Sequence, residues 1–193
     1  MKLTYALTIL TVSLGSAKAA VLFSDDFSTD TLATDYTFLN TNYNSIPETV
    51  TLSRGIGNFL QVSETFNLDS GAATEMTISF DYAFGISMFG SSFSLEYNDN
   101  NGTGWQQIDE INRTGVGENN SGLASNPYTI TINEGMTFSF TDGASIRFID
   151  DNDSGGGGYH IDNLVIEADI VPEPSSTALL GLGGLMLILR RRK

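Results

Sequence analysis

The chain has 193 residues, with 23 acidic and 9 basic side chains and a formal net charge of −14. Such an acidic surface repels phosphate backbones, so the composition argues against nucleic-acid binding. The chain has no cysteine and one histidine, His160, which excludes cysteine nucleophiles, thiolate metal sites and multi-histidine metal sites.

The first nineteen residues have the pattern of a secretory signal peptide. Met1-Lys2 is a short positive region, the segment from Leu3 to Gly15 is mostly apolar, and Ala17-Lys18-Ala19 is the small-x-small pattern that signal peptidase cuts. We expect cleavage after Ala19, so that the mature chain begins at Ala20. An uncleaved amphipathic helix is the alternative.

Residues 20–170 are predicted to form one all-β domain, because short apolar-alternating runs are separated by Gly, Asn, Asp and Ser and no stretch has a convincing helical period. The last run is predicted to contain a bulge, since its apolar residues do not alternate cleanly. Many short strands with turns between them favour an antiparallel β-sandwich. The predicted strands are Val50–Leu52, Phe59–Val62, Met76–Phe84, Phe93–Tyr97, Tyr128–Ile132, Met136–Phe140, Ile146–Phe148 and Ile161–Glu167.

The mature region is more acidic than the whole chain. Six of the nine basic residues lie in the two ends, at positions 2, 18 and 190–193, and 9 − 6 leaves Arg54, Arg113 and Arg147. Such a surface attracts divalent cations or basic partners, and it can equally serve only to keep an exported domain soluble.

Trp105 is the candidate ligand-binding residue, because an aromatic ring can stack on a sugar; packing in a hairpin explains it equally well. A hydrolase is the other alternative. Asp109 and Glu110 are adjacent and would point to opposite faces of a strand, and a triad would need His160, which lies between Tyr159 and Ile161 at the start of the last predicted strand. No catalytic residue is assigned.

The C-terminal residues have a three-part pattern: Pro172-Glu173-Pro174, an apolar run from Thr177 to Leu189, and the basic stop Arg190, Arg191, Arg192 and Lys193. This pattern resembles the PEP-CTERM sorting signal of Gram-negative bacteria. The resemblance implies a short transmembrane sorting helix at 171–193, recognition by an exosortase that cuts near the Pro-Glu-Pro, and a link to exopolysaccharide. An ordinary C-terminal anchor helix is the alternative.

A second resemblance is carried by Asp25-Asp26-Phe27 at the start of the domain and by Ile161-Asp162-Asn163-Leu164 in its closing strand. The domain looks like the jelly-roll sandwiches of MAM-type adhesion domains and carbohydrate-binding modules. The resemblance implies a structural calcium held by Asp26 and Asp162, with Asp25 and Asp69 as unassigned extra ligands. Calcium takes six to eight oxygens, so two aspartates would need partners. The alternative is that Asp25 and Asp26 are solvated turn residues and that Asp162 caps a bulge. The loop with Asp151 and Asp153 is a second metal candidate, with a flexible acidic hairpin as its alternative.

Three segments are therefore expected: a signal peptide at 1–19, a jelly-roll-like β-sandwich at 20–170 and a PEP-CTERM sorting segment at 171–193. The expected function is a non-enzymatic structural or adhesion role of an exported protein, anchored in the inner membrane in transit and then delivered to the cell surface or extracellular matrix. A carbohydrate-binding module acting on polysaccharide is the first alternative, and a secreted hydrolase is the second. The expected processing partners are signal peptidase and an exosortase.

Overall fold

A computed structural model describes residues 18–45, 48–53, 55–68, 73–85, 92–112, 126–135, 137–150 and 158–170. Within these residues there are eleven strands and one short helix, α1, at Leu32–Asp35. The strands are β1 Lys18–Asp25, β2 Tyr36–Leu39, β3 Thr41–Ser45, β4 Glu48–Leu52, β5 Asn58–Val62, β6 Glu75–Phe84, β7 Ser92–Asn98, β8 Trp105–Asn112, β9 Asn126–Asn133, β10 Ser145–Asp150 and β11 Tyr159–Ile170.

The strands form two antiparallel sheets that pack face to face. The first sheet has the order β3-β4-β11-β6-β9, with β1 also paired to β11, and the second has the order β2-β5-β10-β7-β8. From β4 to β7 and again from β8 to β11 the chain crosses from one sheet to the other at each connection, as in a jelly roll. The predicted all-β, jelly-roll-like antiparallel sandwich is therefore confirmed.

Alternation along the strands builds the core. In β6 and β7 every second side chain is buried between the sheets, because side chains of a strand point alternately to its two faces. Phe80 of the first sheet meets Phe148 of the second edge to face at 4.9 Å between ring centroids, and Phe93 packs against Tyr159 at 5.1 Å. Aromatic contacts of this kind hold the two sheets together.

Strand β11 changes its neighbour partway along its length. Tyr159–Ile161 pairs with β4, Leu164–Ile170 pairs with β1, and the pairing with β6 shifts register between Asp162 and Val165. Asn163 has φ +50° at this shift, a left-handed conformation that asparagine tolerates better than most residues. The bulge predicted in the last strand is confirmed here.

Seven of the eight predicted strands are present, and the one at Met136–Phe140 is wrong. Phe138 forms an isolated bridge with Glu134, and the amide of Gly135 donates to the carbonyl of Phe138, so the chain turns sharply here instead of extending. The apolar residues of this segment pack from a loop, with the ring of Phe140 6.0 Å from that of Tyr97. Four strands, β1, β2, β3 and β8, were not predicted.

Several predicted segments lie outside the described residues. These are signal-peptide residues 1–17 with Ala17, the sorting segment 171–193 with its motif and basic stop, and most of the loop with Asp151 and Asp153. Within the described part of the chain, no helix has the length and apolarity needed to cross a membrane. The short C-terminal transmembrane helix stays a prediction.

One side of the sandwich is closed by a hydrogen bond between edge strands of different sheets. The hydroxyl of Tyr128 on β9 donates to the carboxylate of Asp109 on β8. Burial first, and then this carboxylate, raise the pKa of Tyr128 well above its usual range. The bond therefore joins the two sheets where neither sheet has a further described strand to cover it.

We predict that Tyr128→Phe lowers the free energy of unfolding by about 1–2 kcal/mol, because it removes a part-buried hydrogen bond to a charged acceptor. Urea denaturation of Tyr128→Phe, of Asp109→Ala and of the double variant measures the coupling free energy between the two side chains. Glu110→Ala, an exposed neighbour, is the control. Additive losses in the double variant would show that the bond contributes nothing.

Candidate functional site

Two surfaces carry the residues that the sequence singled out, one on each sheet. The first lies where β11 changes neighbour from β4 to β1. Asp26 follows the end of β1, Glu48 begins β4, and Asp162 on β11 is paired with Asp81 on β6. We call these four carboxylates the acidic junction.

Asn163 holds the centre of the acidic junction. Its backbone amide donates to Asp162 Oδ1 at 2.7 Å, and its side-chain Nδ2 donates to Asp81 Oδ2 at 2.9 Å. Asp26 Oδ1 accepts a 3.0 Å bond from the amide of Ser28. Neutral donors therefore serve three of the four carboxylates.

The protonation of Asp162 depends on its surroundings in the junction. Burial, followed by the charges of Asp81, Asp26 and Glu48, raises the pKa of Asp162, although the amide of Asn163 opposes the shift. The amide of Ser28 lowers the pKa of Asp26. Because Asp25 pairs with Leu164, the ladder of β1 and β11 places Asp26 and Asp162 in the same part of the first sheet.

The junction does not by itself form a complete calcium site. Among the described residues, no group of three or more His, Asp or Glu side chains is placed to hold a metal ion. Asp25 is engaged elsewhere: it accepts bonds from the Phe27 amide at 2.8 Å, the Thr31 hydroxyl at 2.6 Å and the Tyr36 hydroxyl at 3.0 Å. Asp69 lies outside the described residues. A calcium ion here would need carbonyl and water ligands besides Asp26 and Asp162, and it stays a prediction.

The raised pKa of Asp162 determines how the stability of the domain changes with pH. The native state binds the proton of Asp162 more tightly than the unfolded chain, so stability falls as pH rises from the ordinary aspartate value of 3.8 through the raised value. We predict that Asp162→Asn removes this loss, and that in chelator at neutral pH it leaves the domain at least as stable as wild type. Thermal melting against pH measures it, and a clear loss of stability in chelator would contradict it.

If calcium binds the junction, it stabilises the wild type by about 2.7 kcal/mol at a hundredfold excess over the dissociation constant. Asp162→Asn should then lose most of this gain, while Asp151→Ala keeps it. Magnesium should substitute poorly, because it requires a tighter octahedral shell. Identical melting curves of the wild type in calcium and in chelator would rule the ion out.

The second surface is the outer face of the second sheet. Because the neighbours of Glu96 and Arg147 along their strands are buried between the sheets, these two side chains point outward. Strand register places five polar residues in one line across the five strands, which we call the polar row. It consists of Thr37, Gln61, Arg147, Glu96 and Gln107.

Trp105 lies beside the polar row at the start of β8 and is half-buried. The Arg147 guanidinium lies over its ring, 4.2 Å from the centroid, and Nε of Arg147 donates to Glu96 Oε2 at 2.6 Å. The cation–π contact and the ion pair fix the indole and both polar side chains in one arrangement. A next row of Leu39, Phe59 and Ile149 adds apolar area, and Leu39 is 48% exposed.

The residues considered for a hydrolase lie on different sheets, with His160 on β11 of the first sheet and Asp109 and Glu110 on β8 of the second. His160 Nδ1 lies 2.9 Å from the Thr51 hydroxyl on the outer face of the first sheet, and burial lowers the pKa of His160. Asp109 is the acceptor of the Tyr128 hydroxyl, and its neighbour Glu110 is exposed. Neither arrangement puts two carboxylates across a groove.

The sequence did not reveal the partners of the predicted site residues. Alternation in Ile146–Phe148 and in Leu95–Tyr97 would have put Arg147 and Glu96 on outer faces, but only the pairing of β10 with β7 brings them together. Asp81 was likewise visible as an outward residue of β6. Its position opposite Asp162 depends on the β6–β11 register.

Solved structures that match this chain include carbohydrate-binding modules of low sequence identity. TmCBM27, described as a module of specific mannan recognition, is 12% identical, with a TM-score of 0.46, over 79% of this chain and 99% of that chain. A CBM29-2 mutant complexed with cellulohexaose is 11% identical, with a TM-score of 0.47, over 79% and 92%. Another, complexed with mannohexaose, is 12% identical, with a TM-score of 0.47, over 78% and 92%. We draw no functional conclusion from similarity of this degree.

Comparison with curated proteins found no match. Residues 171–193, however, match the family model described as the PEP-CTERM protein-sorting motif. The resemblance of the C-terminal tail is therefore confirmed. The chain carries a PEP-CTERM sorting motif, which indicates an exported protein sorted by an exosortase.

Proposed function

We propose that the protein is a non-enzymatic polysaccharide-binding protein of the cell surface or extracellular matrix. Its binding face is the outer face of the second sheet, where Trp105 lies beside the polar row. Before sorting, the segment 171–193 anchors it in the inner membrane, and signal peptidase removes residues 1–19. A structural or adhesion role in an exopolysaccharide matrix follows from the binding.

The observation that carries this proposal is the fixed arrangement of Trp105, Arg147 and Glu96 on the outer face of the second sheet. Sugar rings present apolar C–H faces and hydroxyl edges, so they bind to aromatic rings flanked by hydrogen-bonding side chains. The indole supplies the ring, while the guanidinium, carboxylate and amides of the polar row supply donors and acceptors. Since the guanidinium occupies one face of the indole, a sugar contacts the other face or the stacked pair.

We predict that Trp105→Ala weakens polysaccharide binding by about 2 kcal/mol, roughly thirtyfold in Kd, because an anchoring aromatic is lost. Glycan-array screening identifies the ligand and isothermal titration calorimetry measures the change. Phe38→Ala, a 41% exposed aromatic at the edge strand β2, is the matched control and should bind normally. Equal binding by wild type and Trp105→Ala would contradict the assignment of this face.

Arg147→Ala should also weaken binding, since it removes both the stacked guanidinium and the partner of Glu96. Arg147→Lys keeps the charge but not the planar group, and it should restore little. Full binding by both arginine variants would show that Trp105 acts without this partner.

Processing gives a separate test of the export half of the proposal. We predict that the mature protein begins at Ala20 and loses the chain after about Pro174. Intact-mass analysis of protein released by the native cells measures both ends. Mature protein that still contains peptides from Leu185 to Arg190 would contradict C-terminal removal.

A further inference from the structure

The bond that signal peptidase is proposed to cut lies inside a paired strand. Lys18 pairs with Ile170, Ala19 with Asp169, and Ala20 with Ala168 in the antiparallel ladder of β1 and β11. Both residues of the Ala19–Ala20 bond are thus held by the closing strand of the domain. This inference rests on the proposed cleavage after Ala19.

A paired strand is a poor protease substrate. Proteases that bind extended peptides do so through the main-chain donors and acceptors of the substrate, as an added strand does at a sheet edge. In the folded domain, one edge of β1 is already bonded to β11, and the strand cannot leave the sheet without breaking that ladder. Cleavage of the folded precursor therefore requires local opening of β1.

The order of synthesis keeps the bond free at first. Among the described residues, β1 pairs with no strand other than β11, and β11 is the last strand in the chain. A chain exported from its N-terminus exposes β1 long before residues 164–170 have crossed. The ladder forms only once the whole domain has been exported.

We propose that the β1–β11 ladder sets a time window for removal of the signal peptide, which must occur before β11 pairs with β1. Cleavage consumes water and leaves a carboxylate on Ala19 and an ammonium group on Ala20. It also removes Lys18 and Ala19 before the ladder forms, so Ile170 and Asp169, directly before the sorting motif that begins at 171, never gain these two partners in the mature domain. Signal-peptide hydrolysis is therefore the first of the two processing steps.

A reversible block of signal peptidase in the native cells, using the full-length chain, tests the window. Precursor made during the block folds with its signal peptide attached. After the inhibitor is washed out, we expect this old precursor to be cleaved roughly tenfold more slowly than chains made after the washout, because cleavage waits for local opening. Pulse labelling distinguishes the two populations.

Asp169→Pro identifies the cause, since proline lacks the amide donor and disrupts a strand ladder at that position. Its old precursor should be cleaved at nearly the rate of new chains, whereas Asp169→Asn, the matched control, should behave as wild type. Protease resistance of the domain in each variant checks that the remainder has folded.

If wild-type precursor made during the block and precursor made after the washout are cleaved at equal rates, the proposed time window is wrong. Slow cleavage of old Asp169→Pro precursor with a folded domain would overturn the role of the ladder. A mature N-terminus other than Ala20 in uninhibited cells would overturn the proposed signal cleavage and this inference together, so the two failures are distinguishable.

Discussion

The first sheet depends on β11, the last strand of the domain and the longest at twelve residues. Strands β6, β4 and β1 all pair with it, and its inward side chains from Tyr159 to Ala168 are buried against the second sheet. A central strand must satisfy backbone donors and acceptors on both edges. The fold is therefore incomplete until the final residues of the domain have arrived.

The bulge in β11 follows from the same constraint. Two strands share one edge of β11, and β1 and β4 meet it in different places, so the ladder must be interrupted between them. The interruption puts Asn163 in a left-handed conformation and collects carboxylates that belong to four separate strands or turns. Asn163 partly offsets their repulsion by donating to Asp81 and Asp162, while burial first, and then the remaining repulsion, raise the pKa of Asp162.

Alternation in the sequence predicted the sandwich because the buried faces of β6, β7 and β9 repeat every second residue. The pattern missed β8, because a register shift opposite Leu95 and Glu96 breaks the alternation there. It also missed β1, because the first residues of that strand belong to the predicted signal peptide. It predicted a strand at Met136–Phe140 because aromatic residues that pack from a turn show the same spacing. The partners of Trp105 and Asp162 depend on strand order, and no local pattern contains that information.

Strand register also fixes where the proposed binding face lies relative to the chain ends. Ala168 of β11 pairs with Met76, whose neighbour Glu75 pairs with Asn133, so the ends of β11 and β9 share one end of the first sheet. The connection from β9 leads to Ser145, which pairs with Asn98, and Asn98 pairs with Trp105. The Tyr97 hydroxyl donates to the Ser139 carbonyl of that connection at 2.8 Å and holds the connection against β7. Trp105 therefore lies at the same end of the sandwich as Ile170, so a group joined to the chain beyond Ile170 would be held at the end that carries the proposed binding face.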